Sequence, residues 1–315
     1  MSGGFAAFGA SAASPLGLSR LLQDFPALAE SLRGIERAAA TEAPVLLLGE
    51  PGTGRSTLAR ALHDASPRSA GPLVEVDPGS IPSTLFESEF FGYRPGAFTG
   101  AERASEGRVA RAEGGTLVLD HVEELPLPSQ PKLLRLVAER RYAPLGGVET
   151  GADVRFVAIG SEDLPRRVAR ETFRPDLFYR LEVLAFRLLT LRERRADLPR
   201  ILDHLLADLG ERFGVPDPAL APRARAWMLD YSWPGNLRQL RNSLERGLIL
   251  AEGGPVDPPI PEGTHEARPR PLVEVEKEQI RNALAYTRGH QGRAAELLGI
   301  SRKALWEKRR RYGIP

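Results

Sequence analysis

The 315-residue chain has no cysteine, which excludes disulfide bonds, thiolate metal sites and cysteine nucleophiles together. It has almost no net charge: 43 Lys and Arg stand against 41 Asp and Glu, leaving +2, so only the distribution of charge carries information about partners. No apolar run approaches the length of a membrane span. The first residues are small and lack both a basic start and a long apolar stretch, so they read as neither a signal peptide nor a membrane anchor; a cytoplasmic location is the expectation. Aromatics are few, 7%, so a phenylalanine isolated among small residues stands out. The rest is ordinary for a soluble globular protein: 42% apolar and 27% charged residues, with room for two or three domains.

Residues 1–20 read as a flexible leader. Leu21, Leu22, Phe25, Leu28, Leu32 and Ile35 then recur at helical spacing up to residue 40. Short apolar runs at 45–48, 73–76, 116–119 and 155–159 alternate with helical stretches, the pattern of an α/β, doubly wound parallel sheet over residues 21–190. From 191 to 252 the pattern turns helical, as in an α-helical lid. Gly and Pro crowd residues 253–271, which makes a linker. A small all-α unit occupies 272–315, and no internal repeat is apparent.

Gly49, Glu50, Pro51, Gly52, Thr53, Gly54, Arg55 and Ser56 follow an apolar run and open a helical segment that starts at Thr57. Glycines there let backbone N–H groups converge on phosphate oxygens, and the helix N-terminus adds a favourable dipole. A plain strand-to-helix glycine turn is the simpler alternative. Against it stands the run at 116–119, which ends in Asp120, a carboxylate suited to hold Mg²⁺ together with the Ser56 hydroxyl. Between the two lies Gly96, Ala97, Phe98, Thr99, Gly100 and Ala101. Phe98 is a large ring among small residues, and Gly96 and Gly100 allow backbone angles that other residues avoid. Such a loop is a poor core element and a good flexible probe; an ordinary glycine-rich hairpin is the other reading.

In this order the motifs resemble those of the AAA+ activators of sigma-54 RNA polymerase, over residues 20–315. The resemblance implies that the 96–101 loop contacts sigma-54, that Arg174 and Arg180 reach a neighbouring subunit's nucleotide, and that Arg238, after Trp233, Pro234, Gly235, Asn236 and Leu237, reports nucleotide to the lid. It also exposes departures. Position 55 is lysine in the family, and a guanidinium is too broad and planar to replace a compact ammonium among phosphate oxygens. Position 56 is usually glutamate. The family follows Asp120 with a glutamate that polarises the attacking water; here His121 follows, able to accept a proton but without the negative charge. Asp77 stands for the asparagine that restrains that glutamate, and Ser161 for a sensor asparagine. Glu124 has a family counterpart, while Glu123 would need a different backbone path; both are expected to face solvent. Hydrolysis is therefore expected to be impaired while contact and assembly survive. The sensory domain that many such activators carry in front is lacking, so control in trans is expected.

Residues 292–306 read as helix, glycine turn, helix. Ala294, Ala295 and Leu298 pack the first helix, Gly299 turns the chain, and Ser301 caps the second. This is similar to the Fis-type helix-turn-helix that ends sigma-54 activators. Arg302, Lys303, Lys308, Arg309, Arg310 and Arg311 line the second helix, opposed only by Glu307, a basic field for phosphates with the helix in the major groove. Arg302 and Lys303 are placed to read bases, and Arg309, Arg310 and Arg311 to hold the backbone. Trp306 is expected in the core beneath the helix, with one edge in reach of DNA. A solvated basic face is the plain alternative. The expected protein is a transcriptional regulator that binds ATP and Mg²⁺, binds DNA at an upstream activating sequence, assembles as a homo-oligomeric ring, a hexamer, and engages sigma-54 RNA polymerase. A non-hydrolysing DNA-binding regulator that occupies promoter sites or joins mixed rings with active paralogues is the alternative.

Overall fold

Strands buried on both faces need apolar side chains at every position, and the short runs of this chain supply them. In a computed structural model, which describes residues 17–251, 253–260, 272–287 and 289–314, nine strands form. They are β1 (Val45–Leu48), β2 (Leu73–Val76), β3 (Gly92–Tyr93), β4 (Ser105–Glu106), β5 (Thr116–Leu119), β6 (Arg141–Tyr142), β7 (Thr150–Gly151), β8 (Arg155–Gly160) and β9 (Leu184–Arg187). Five make one parallel sheet in the order β2-β5-β8-β1-β9, and the short strands pair as the hairpins β3-β4 and β6-β7. The expected doubly wound sheet is present. β9 is an addition, because its alternation of Leu184, Ala185, Phe186 and Arg187 is too weak to stand out in sequence.

Successive side chains along a strand point to opposite faces, and the core divides accordingly. Val45, Leu47, Val118, Val157 and Ile159 join one cluster, which also takes in helices Arg55–Asp64, Leu198–Phe213 and Asn236–Leu250. Leu46, Leu117, Leu119, Phe156 and Ala158 join the other, against helices Ser83–Phe91, Gln130–Glu139 and Pro175–Leu181. The single helical stretch expected before residue 40 is instead three helices, Leu18–Asp24, Pro26–Ser31 and Ile35–Ala39. Pro26 cannot donate to the preceding turn, and Gly34 takes φ 88°, so the chain breaks at both places while its apolar spacing survives.

Two buried charged groups fasten helix ends. Arg155 is fully buried, and its Nη2 donates to Ala38 O at 2.9 Å at the C-terminal end of Ile35–Ala39, where the helix dipole favours a cation. Asp197 accepts from Ala27 N at 3.1 Å and Leu28 N at 3.0 Å, capping Pro26–Ser31 from the distant start of the lid. The lid closes on itself further along than the sequence suggests. Val256, within the expected linker, is 1% exposed and bridges Leu220, and Pro258 packs beside Gly247. Residues 261–271 of that linker, and residues 1–16 of the expected leader, lie outside the described residues.

The chain divides into two units, at residues 1–260 and 261–315. The second holds helices Leu272–Tyr286, Gln291–Leu297 and Arg302–Tyr312 around Ile280, Ala283, Leu284, Ala294, Ala295, Leu305 and Ile314. Among the described residues no helix is long and apolar enough to cross a membrane. Asp197→Ala leaves two buried N–H groups without acceptors, and a loss of about 1–3 kcal/mol in chemical denaturation is expected.

Candidate functional site

The parallel sheet delivers the ends of β1, β5 and β8 to one edge, with Leu48 paired to Gly160 and Leu119 to Ala158. The phosphate loop leaves β1 there and enters helix Arg55–Asp64 with Gly52 at φ 79° and Gly54 at φ 103°. Glycine at 52 is required by a close approach: a Cβ would sit 2.5 Å from Gly235 O of the lid. The lid grips the loop directly. Leu237 N donates to Gly52 O at 2.8 Å, and the fully buried Asn236 donates from Nδ2 to Pro51 O and Glu50 Oε2, both at 3.2 Å. Glu50 also receives both Arg192 terminal nitrogens, and those hydrogen bonds hold its carboxyl below the usual range. Thr53 Oγ1 donates to Glu50 O at 2.8 Å, and Thr53 O receives Arg194 Nη2 at 3.0 Å. Arg238 is exposed, its Cβ close beside Gly52.

Arg55 is turned inward. Its Nη1 donates to Gly49 O at 2.9 Å and also to Gly160 O, and the residue is 6% exposed. Burial pulls the guanidinium below the usual arginine range, while Asp120 and Glu123 push it back. Arginine at this place thus spends donors on backbone carbonyls beneath the loop, which bears on the misplacement expected from its shape.

Asp120 lies at the end of β5, and Ser56 Oγ donates to its Oδ2 at 3.1 Å. A hydroxyl and a carboxylate oxygen so placed suit Mg²⁺, a hard cation that keeps several water and phosphate ligands. Among the described residues no group of three His, Asp or Glu could hold a metal alone, so phosphate oxygens would have to complete the shell. His121 takes φ 52°, a left-handed conformation that a side-chain-bearing residue adopts at a cost. Its Nδ1 lies 3.5 Å from Asp77 Oδ2 and 3.6 Å from Asp120 Oδ1. Asp77 meanwhile accepts Gly79 N at 3.0 Å.

Glu123 corrects a sequence expectation. It does not face solvent but is 7% exposed, with Oε1 accepting Ser161 N at 3.1 Å. The short helical turn Val122–Glu124 points it under the sheet edge, a direction that no periodicity encodes. Glu124, as expected, lies at the surface and receives Arg167 Nη2 at 2.9 Å.

An apolar cavity of about 160 Å³ continues from Thr53, Gly54 and Thr57 to Leu21, Phe25 and Leu237. Apolar walls joined to a glycine cradle of N–H groups fit a nucleoside with a phosphate tail. The wall residues were visible in sequence only as helix-forming positions. Asn236, Arg192 and Arg194 also escaped notice as loop-holding groups, although Asn236 lies within the lid motif.

Arg174 and Arg180 stand at opposite ends of one short helix. Arg174 precedes helix Pro175–Leu181 and is held by Asp176 at 2.7 and 3.0 Å, while Arg180, in its last turn, donates to Ala138 O at 3.1 Å. The 96–101 loop projects between β3 and β4. Gly96 and Gly100 take φ 81° and 96°, Gly96 N donates to Ala101 O at 2.8 Å, and Ala101 N to Phe98 O at 3.0 Å. Ala97 N closes a turn on Arg94 O, and Ala101 is buried. Phe98 is 45% exposed with its edge on Tyr93, ring centres 4.9 Å apart.

In the second unit, Ser301 Oγ accepts Ala304 N at 3.1 Å, the expected cap, and Gly299 turns at φ 65°. Arg302, Lys303 and Arg310 are exposed. Trp306 is not in the core: it is 53% exposed, on the same face, with the Arg310 guanidinium 5.6 Å from its ring centre. Lys308 is diverted from that face by an ion pair with Glu276, which also accepts the Tyr312 hydroxyl, and Arg309 is half-buried. Leu305 takes the core position expected of the tryptophan, one residue away.

The sigma-54 interaction domain matches residues 21–187, the AAA+ ATPase lid domain residues 192–269, and the bacterial regulatory protein domain of the Fis family residues 271–312. The transcriptional regulatory protein ZraR of Salmonella typhimurium is 40% identical over 294 residues, covering 90% of this chain and 66% of that protein. The C4-dicarboxylate transport transcriptional regulatory protein DctD of Rhizobium meliloti is 38% identical over 296 residues, covering 93% and 64%. The chain thus spans just under two thirds of these relatives' length. Among solved structures, NtrX from Brucella abortus in complex with ATP superposes with a TM-score of 0.68 at 33% identity, over 91% of this chain and 68% of that one. Its complex with ADP gives a TM-score of 0.69.

The exposure of Phe98 separates a surface probe from a core residue. Phe98→Ala is expected to shift stability by less than about 1 kcal/mol, against about 3–5 kcal/mol for Phe90→Ala, whose ring is fully buried; thermal denaturation of both variants checks the contrast.

Proposed function

The chain belongs to the family defined by the sigma-54 interaction domain, with an AAA+ lid and a Fis-type helix-turn-helix, and from that membership we propose that it is a DNA-bound regulator of sigma-54 RNA polymerase. It binds ATP in the cradle formed by Gly49, Glu50, Gly52, Thr53, Gly54, Arg55, Ser56 and Thr57, with Ser56 and Asp120 holding Mg²⁺, and it hydrolyses ATP poorly. Nucleotide at the subunit interface of a ring, a hexamer, is read by Arg174 and Arg180 of the neighbour and by Arg238 and Ser161 of the same chain. The 96–101 loop then carries Phe98 to sigma-54. When bound, Mg²⁺ would neutralise charge developing on the transferred phosphate.

The inward turn of Arg55 carries the reading of weak turnover: the charge meant for the outer phosphates is fastened to Gly49 O and Gly160 O. The water-polarising place holds His121 against Asp77, where a lone glutamate would be repelled by the neighbouring aspartate. Nucleotide binding itself is supported by the apolar cavity, the positive-φ glycines, and the relative NtrX solved with ATP and with ADP.

Steady-state ATPase assays at several protein concentrations test this. Turnover of wild type is expected at a small fraction of that of the triple variant Arg55→Lys, His121→Glu, Asp77→Asn, with His121→Glu alone giving little, since the three positions act as one unit. Wild-type turnover that equals the triple variant's and rises with concentration would make the protein an ordinary ring ATPase. Failure of the triple variant to gain would move the defect elsewhere.

DNA binding rests on the exposed stripe of Arg302, Lys303, Trp306 and Arg310. Arg302→Ala is expected to relax sequence preference at a cost of about 1–3 kcal/mol, while Arg310→Ala weakens all sequences and flattens the salt dependence. Binding titrations at two salt concentrations distinguish these effects; unchanged binding in both variants leaves only a solvated basic face.

A further inference from the structure

We propose that Glu123 is a built-in counter-ion to Arg55 that makes the phosphate site favour a nucleoside diphosphate over the triphosphate. This rests on the site being a nucleotide site, as inferred above. Glu123 is more than nine-tenths buried, and while its Oε1 takes the Ser161 N–H, its buried Oε2 has no hydrogen-bond partner. That oxygen lies against Gly160, where a Cβ would be 3.4 Å from it. The carbonyl of the same Gly160 holds Arg55. The carboxylate and the guanidinium therefore flank one residue at the end of β8.

Among the described residues neither side chain forms a direct ion pair. Both of Arg55's acceptors are neutral carbonyls. The other cation beside Glu123, Arg167, uses its Nη1 on the Glu123 backbone carbonyl at 3.2 Å and its Nη2 on Glu124. A buried, half-satisfied carboxylate is unfavourable unless a nearby cation offsets it, and Arg55 lies across Gly160 from it. Burial disfavours the charged form of Arg55, and Asp120 and then Glu123 favour it.

Geometry says which phosphate feels the pair. β8 lies between β1, which feeds the phosphate loop, and β5, which ends at Asp120. A triphosphate whose Mg²⁺ was held by Ser56 and Asp120 would bring its outermost phosphate toward the end of β8. A lysine alone would present a full positive charge there. Arg55 with Glu123 presents a compensated pair, and the terminal phosphate of ATP would approach a carboxylate as well as a guanidinium. ADP lacks that phosphate. The hydrogen bond to Ser161 N needs only an acceptor, which glutamine supplies equally, so the charge of Glu123 can be removed while its structural contact is kept.

The test is equilibrium binding of ADP and of a slowly hydrolysed ATP analogue, both with Mg²⁺, to the full chain and its Glu123→Gln and Glu123→Asp variants. Wild type is expected to hold ADP more tightly. Glu123→Gln should tighten the triphosphate by about tenfold and ADP by much less, as removal of one facing charge at intermediate dielectric requires. Glu123→Asp should keep the diphosphate preference. A wild type that prefers the triphosphate, or a Glu123→Gln variant that binds both nucleotides with the wild-type ratio, overturns the counter-ion while leaving the nucleotide site intact. Absence of binding of either nucleotide to wild type and to Glu123→Gln would overturn the nucleotide reading and this inference together. The wild-type preference is measured without any substitution, so the proposal stays exposed to failure even if a variant does not fold.

Discussion

A parallel strand buried on both faces has no freedom over where its last residue goes, and three such strands set the chemistry of this protein. β1, β8 and β5 lie side by side in fixed register, so Gly49, Ser161 and Asp120 emerge at one edge although more than a hundred residues separate the first from the second. The sheet cannot slip by one residue without exchanging the members of its two cores, because Leu46 and Leu47 belong to opposite faces. The helix that follows β1 then fixes Arg55 and Ser56 at that same edge, and the lid closes over it through Asn236 and Leu237.

The charges gathered at this edge lie close to one another. Arg55 is drawn under the phosphate loop, Glu123 is buried with one oxygen unpartnered, and His121 faces Asp77 rather than standing alone. Each departure makes sense beside another. Asp77 has the His121 imidazole 3.5 Å from its carboxylate, and the inward guanidinium has a carboxylate across one glycine residue. Groups this close are expected to couple, so substitutions among them are not additive.

The 96–101 loop and the helix-turn-helix unit are held by contacts of their own. The 96–101 loop is closed by its own backbone hydrogen bonds and two left-handed glycines, with Phe98 resting an edge on Tyr93. The helix-turn-helix unit has its own core, its own caps at His290 and Ser301, and an internal ion pair between Glu276 and Lys308.

What the sequence determined alone was whatever is written in local spacing. Four sheet strands, the positive-φ glycines of the phosphate loop, the Gly299 turn and the Ser301 cap are all local, and all were legible from residue order. Tertiary structure decided the direction of long side chains and the partners of distant ones. Glu123 and Glu124 are adjacent and alike in sequence, yet one is buried and the other exposed, because a short helical turn after β5 sends them to opposite sides. Trp306 and Leu305 exchanged their expected places for the same reason: neighbours on a helix lie about 100° apart, and only packing against Ile280 and Ala294 decides which one faces in. Lys308 reads as part of a basic field until Glu276, thirty-two residues earlier, is seen beside it. Such pairs are fixed by how helices meet, and that information is not contained in any one segment.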